Sequence, residues 1–99
     1  MVTPEGKVKD QCKLLLRSYG IWYYMPVQNG MGVVGIPDII ACWRGRFLAI
    51  ETKAPGKRNS TTPNQKRVLA EIGAHGGLWI VVDDPSQLSE YLAMESLRD

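Results

Sequence analysis

A proline-aspartate pair, Pro37-Asp38, leads into an apolar run over 39–43, and a second apolar run over 47–50 ends in Glu51-Thr52-Lys53. Only Arg44-Gly45-Arg46 separates the two runs. A loop this short, centred on Gly, joins neighbouring antiparallel strands, so the spacing predicts a hairpin with Asp38 at the foot of one arm and Glu51 at the end of the other. Side chains alternate across a strand, which puts Glu51 and Lys53 on one face and Thr52 on the other. Two carboxylates and an ammonium then crowd one patch of an otherwise apolar sheet. Charges in such a place are costly unless they are paired or hold a metal.

Around the hairpin the other elements follow from local signals. Thr3-Pro4-Glu5 reads as a helix start, Thr3 as N-cap and Pro4 at the first helical position, with the helix running to about Ser18. Val8, Cys12, Leu15, Leu16 and Tyr19 share its apolar face, Glu5 falls in the same arc, and Lys9, Lys13 and Arg17 form an adjoining basic stripe. An aromatic strand is expected over 21–25, followed by a glycine-punctuated loop over 26–35. A polar, basic loop over 54–60 is expected to move. Thr61 or Thr62 before Pro63 starts a second helix, with Val68, Leu69 and Ile72 inward and Gln65 on the same face. Gly76-Gly77 ends it, a last strand covers 78–82, and a third helix follows Asp84-Pro85 with Leu88, Leu92 and Leu97 inward. The order αβββαβα gives a mixed α/β sheet flanked by helices, and the helical crossover allows the last strand to run parallel to the third.

Glu5, Asp38, Glu51 with Lys53, and Gln65 all break the rule that inward positions are apolar, and they come from separate elements. One such residue is usually a satisfied buried polar group, whereas several converging ones point to a site. Oxygen ligands from Glu5, Asp38 and Glu51, with the backbone carbonyl of Thr52 in reach, suit a hard divalent ion such as magnesium or manganese, because no His or Cys joins them. Such an ion neutralises charge developing on a phosphoryl oxygen. Lys53 is placed to stabilise the transition state, and Gln65 to hold a water or a phosphate. Each residue also has a plainer use: Glu5 complementing the helix dipole, Asp38 as a turn residue, Glu51 and Lys53 as an ion pair, Gln65 as a cap. His75 reads as a helix C-cap. Trp22, Trp43 and Trp79 read as core.

The net charge of +2 hides a division along the chain. Residues 1–70 carry eleven Lys/Arg against four acids, a net +7, and residues 71–99 carry Arg98 against six acids, a net −5. A basic surface around a few acids suits a polyanion held near a bound cation, with Lys9, Lys13, Lys57 and Arg58 as candidate phosphate contacts. The length, 99 residues, suits one domain over 1–99. No stretch is long enough to span a bilayer and no signal peptide is legible, so a cytoplasmic protein with no membrane partner is expected. Cys12 and Cys42 lack metal-site spacing and read as buried free thiols.

These residues resemble a known family. Pro37-Asp38 with Glu51-Thr52-Lys53 is similar to the PD-(D/E)XK nuclease signature, a short pattern that also arises by chance. The wider context is more specific: Gly35-Ile36-Pro37-Asp38, then 47–56 with Glu51-Thr52-Lys53 inside it, then Thr62-Pro63-Asn64-Gln65 at the head of a helix, resemble the VRR-NUC branch, the virus-type replication and repair nucleases. A leading helix carrying Glu5 also fits. The resemblance implies a restriction-endonuclease-like core and a magnesium- or manganese-dependent endonuclease acting on DNA. Glu5, Asp38, Glu51 and Thr52 would hold the metal, Lys53 would be the catalytic lysine, and Gln65 would support it. It further implies a phage or bacterial source and a homodimer cutting branched DNA such as four-way junctions. The alternative in a different class is a nucleic-acid-binding module on the same fold that does not cut.

Overall fold

The computed structural model describes residues 2–27 and 32–98. Helix α1 (Pro4–Ser18) is followed by strands β1 (Trp22–Tyr24), β2 (Ile39–Trp43) and β3 (Arg46–Thr52). Helix α2 (Pro63–Ala74), strand β4 (Leu78–Val82) and helix α3 (Pro85–Ser96) complete the order αβββαβα. The strands form one sheet in the order β1-β2-β3-β4, antiparallel except for β3 and β4, which run parallel across the α2 crossover. Residues 28–31 of the expected loop over 26–35 lie outside the described residues.

The β2–β3 turn is two residues long, Arg44-Gly45, with Trp43 paired to Arg46. Both turn residues have positive φ, 53° and 77°. This is what a two-residue hairpin loop demands if its twist is to match that of the strands, and the second position is the one Gly fills without strain. The register that follows pairs Ile39 with Ile50 and leaves Asp38 just beyond the ladder, beside the end of β3.

Helices α1 and α3 cover one face of the sheet. There Val8, Cys12 and Leu16 of α1 and Leu88 and Leu92 of α3 pack on Ile39, Ala41, Leu48, Ile50, Ile80 and Val82. Helix α2 covers the middle of the other face, setting Leu69 and Ile72 against Ile40, Ala49 and Val81. Strand β3 is therefore buried on both faces, which explains its unbroken apolar run, and each fully buried Leu or Ile in it contributes roughly 1.5–3 kcal/mol. A central strand held this way makes a rigid mount for whatever its end carries.

Several expected core residues lie outside this core. Trp22, Trp79, Tyr19 and Leu97 are exposed, and of the two free thiols Cys12 is buried but Cys42 is exposed. Only Trp43 of the three tryptophans packs against the main core. For Trp22 the cause is coverage: helix α2 is only 12 residues long, and the part of its sheet face toward β1 stays open.

Candidate active site

At the C-terminal end of β3, four elements converge. Glu51 is 2% exposed and points to the α2 face, as Ala49 does two residues earlier. Its Oε1 accepts the backbone N–H of Asp38 at 3.2 Å. Asp38 in turn is tied to β3 from the next residue: its Oδ2 accepts both the N–H and the hydroxyl of Thr52, each at 2.9 Å. The alternation rule places Thr52 away from Glu51, as expected, yet its hydroxyl still reaches Asp38. Asp38 stands past the ladder's end, where a side chain reaches either face. The carboxylates of 38 and 51 are thus neighbours, not residues on opposite surfaces of the sheet.

Lys53 continues the same face. Its N–H donates to Val82 O at 2.8 Å, extending the parallel ladder by one residue and fixing the backbone there. Its Nζ donates to Gln65 Oε1 at 2.9 Å and lies 3.8 Å from Glu51 Oε2. Gln65 Oε1 also accepts Thr62 N–H at 2.9 Å, while Gln65 N–H donates to Thr62 Oγ1 at 3.2 Å, a reciprocal capping box. Gln65 therefore caps α2 and, through the same oxygen, accepts the Lys53 ammonium.

Gly35 explains how the loop before Asp38 meets this helix. With φ at +88°, it presses against the first turn of α2, so closely that a Cβ there would stand 2.6 Å from the backbone C and O of Asn64 and 2.8 Å from Gln65 N. Only Gly permits both the angle and the approach. That contact seats the loop leading to Asp38 against the first turn of α2, which carries Gln65.

Helix α1 contributes a different residue from the one expected. Among the described residues, no group of three or more His, Cys, Asp or Glu side chains is placed to hold a metal ion. Glu5, half-buried in the first turn of α1, is therefore not gathered with Asp38 and Glu51 into a three-carboxylate set. Lys9, one turn on, reaches Asp38 instead, with Nζ 3.4 Å from Oδ1. Lys9, a candidate phosphate contact, thus stands at the Asp38 carboxylate. The i, i+4 spacing of Glu5 and Lys9 was the available signal, since it places both on neighbouring parts of one helical face. The loop over 54–60 is pinned rather than loose: Arg58 Nε donates to Val81 O at 2.7 Å and Gly56 N–H to Asp83 Oδ2 at 2.9 Å. Lys57 stands exposed on it, and Lys13 pairs with Asp10 on the surface of α1. His75 caps α2, its Nδ1 within 2.8 Å of Glu71 O.

Electrostatically the pair is unbalanced. Burial, then the negative charge of Asp38, then a hydrogen bond to the Asp38 carboxylate push the Glu51 pKa from 4.5 up to about 8, with Lys53 pulling weakly the other way. Two adjacent acids in this state attract a cation, and the Lys9 ammonium already stands against one of them.

Scanned against protein-family models and against curated proteins, the chain matches none. A solved structure described as a "VRR_NUC domain" superposes on it with a TM-score of 0.71, covering 92% of this chain and 96% of that one at 23% identity. The chain has the VRR_NUC fold. The match covers nearly all of that domain, and the αβββαβα order is the one expected from the caps, apolar periodicity and turns along the sequence. Asp38 and Glu51 are adjacent carboxylates, hard oxygen donors of the type that suits a magnesium- or manganese-sized ion.

Proposed function

We propose that the chain is a divalent-metal-dependent endonuclease acting on DNA. The carrying observation is the juxtaposition, on a VRR_NUC fold, of the Asp38–Glu51 pair with a lysine whose ammonium is oriented by Gln65 at 2.9 Å. Asp38 and Glu51 would hold magnesium or manganese, with the Thr52 carbonyl as a further candidate ligand, and the ion supplies Lewis-acid neutralisation of phosphoryl oxygens.

The chain's own residues do the rest. Thr52 holds Asp38 through two hydrogen bonds, so its carboxylate stays aimed at Glu51 without rotamer search. Gln65 and Glu51 keep the Lys53 ammonium at the site, where it offsets charge gathering on the non-bridging oxygens as water attacks phosphorus. The water O–P bond forms as the P–O bond to the leaving deoxyribose oxygen breaks; the attacking water gives up a proton to solvent, and the leaving oxygen takes one from solvent to depart as the hydroxyl. Preference for branched DNA and action as a homodimer follow from the resemblance to VRR-NUC nucleases, and a cytoplasmic setting is consistent with the described helices, none of which is long and apolar enough to cross a membrane.

Labelled duplex, flap, splayed and four-way DNA, incubated with the purified chain in magnesium and in manganese, tests the reading, with sedimentation for the oligomeric state. Cleavage should require the metal and vanish in Asp38→Asn and Lys53→Ala. Equal cutting by Asp38→Asn and its parent, or no cutting of any substrate, would overturn it.

A further inference from the structure

Strand β1 is one edge of the sheet, and its face on the α2 side is aromatic. Trp22 pairs with Cys42 and Tyr24 with Ile40, and residues directly opposite in an antiparallel pair share a face. Ile40 packs under α2, whereas Tyr23 and Met25 turn to the α1 and α3 core. Trp22 and Tyr24 therefore stand on the α2 face, beyond the reach of α2, 62% and 49% exposed. Their rings lie 5.7 Å apart at an interplanar angle of 50°, too tilted to cover one another. Aromatic rings this open, on a rigid strand, are costly to leave in water unless they meet a partner.

What runs beside them identifies the partner. The basic stripe of α1 is fixed to this edge at both ends: Lys9 Nζ lies 3.4 Å from Asp38 Oδ1, and the Arg17 guanidinium sits 5.9 Å over the Tyr23 ring. Lys13 lies between them. Eight helical residues from Lys9 to Arg17 span about 12 Å. Along the strands, two residues separate Trp22 from Tyr24, whose partner Ile40 is two residues from Asp38; four strand residues span about 13 Å. A cation row and a ring row of equal length thus leave the carboxylate pair along the same edge, one on each side of β1. Phosphates suit the first and base faces the second. Bases within a duplex are already stacked, so the ring row fits only a strand whose bases are unpaired.

Resting on the nuclease reading above, we propose that an unpaired DNA strand lies along β1, its phosphates on Lys9, Lys13 and Arg17 and two of its bases on Tyr24 and Trp22, delivering the phosphate next to them to Asp38 and Glu51. Substrates with single-stranded character at the cut are then preferred to uninterrupted duplex.

Binding without chemistry tests this separately from cleavage. Fluorescence anisotropy in EDTA, with a labelled 12-nucleotide single strand and an abasic strand of the same length, keeps the phosphates and removes the bases. Trp22→Ala/Tyr24→Ala should weaken binding of the ordinary strand by about tenfold or more and leave the abasic strand unaffected, while Trp22→Phe/Tyr24→Phe restores most of the loss. Equal affinity of parent and double-alanine variant, or equal losses on both strands, overturns the proposal. So does a parent that sediments as a dimer and a variant that sediments as a monomer, because the face would then be covered by a second copy. If the chain cuts nothing yet the ordinary strand alone loses affinity, the nuclease reading falls and the track stands.

Discussion

Replacing Glu51 by Gln should make the protein more stable at neutral and alkaline pH, contrary to the usual effect of altering a buried residue. The Glu51 carboxyl titrates at about 8 in the folded chain against 4.5 when unperturbed, because it is buried beside Asp38. Between those values the folded chain keeps a proton that the unfolded chain has lost, so stability falls as pH rises through this window and levels off above it. At about 1.4 kcal/mol per pKa unit, the difference amounts to a ceiling of roughly 5 kcal/mol. Even half of that is a large part of the stability of a small domain. Gln has nearly the same shape, and its carbonyl oxygen accepts the Asp38 N–H as Glu51 Oε1 does. It carries no charge to set against Asp38, and it loses the attraction of Lys53 at 3.8 Å, which is the weaker effect. Asp38 remains balanced by Lys9. Urea denaturation of parent and variant in EDTA at half-unit steps from pH 5 to 8.5 reads the difference directly, since every other titrating group cancels. The two curves should lie close at pH 5 and separate by 2 kcal/mol or more, an order-of-magnitude figure, by pH 8. Magnesium or manganese at about 100 times its Kd should return about 2.7 kcal/mol to the parent at pH 8 and less to the variant. Parallel curves across the whole range would show that Glu51 is not burdened by Asp38 and would remove the electrostatic basis for a cation there.

Other substitutions probe the supports. Gly35→Ala forces a Cβ to 2.6 Å from the Asn64 backbone at a φ of +88°; it should cost about 1–3 kcal/mol in urea denaturation and reduce cleavage by shifting Asp38 relative to Gln65. An Ala variant as stable as its parent would mean the loop and α2 are not in that contact. Thr52→Val removes the hydroxyl that donates to Asp38 Oδ2 and should cost about 1.5–3 kcal/mol, with Thr52→Ser recovering most of it. Gln65→Ala should lower stability by about 1 kcal/mol through the lost cap and lower the cleavage rate further than that loss of stability explains, because Lys53 loses its 2.9 Å partner. Gln65→Glu, which keeps both acceptor interactions, should restore the stability in the same assay.

What the sequence disclosed and what it concealed divide along a physical line. Local rules placed the parts whose geometry is set within a few residues: a tight turn within Arg44-Gly45-Arg46, which the structure narrows to Arg44-Gly45, the cap at Thr3, and a cap at Thr61 or Thr62, which the structure resolves to Thr62. The hairpin register then brought Asp38 beside Glu51, because a strand pair joined by a fixed turn leaves no freedom in which residues end up opposite. The surroundings of Lys9 and of Trp22 are not legible in the sequence, for a different reason. Whether a helix presents Glu5 or Lys9 to a given carboxylate depends on a rotation of α1 smaller than the arc its apolar residues define. Whether a strand aromatic is core or surface depends on how far a helix from another part of the chain extends over the sheet. Neither quantity is written in any short window of residues. Lys9 and Trp22 fall along the same edge of the fold, where α1 meets β1 and α2 no longer covers the sheet, whereas Trp79 stands on β4 at the opposite edge. An edge where hydrophobic periodicity and coverage disagree is also where a protein can meet a ligand without disturbing its core, since rings and ammonium groups there are held by neighbours that are already packed.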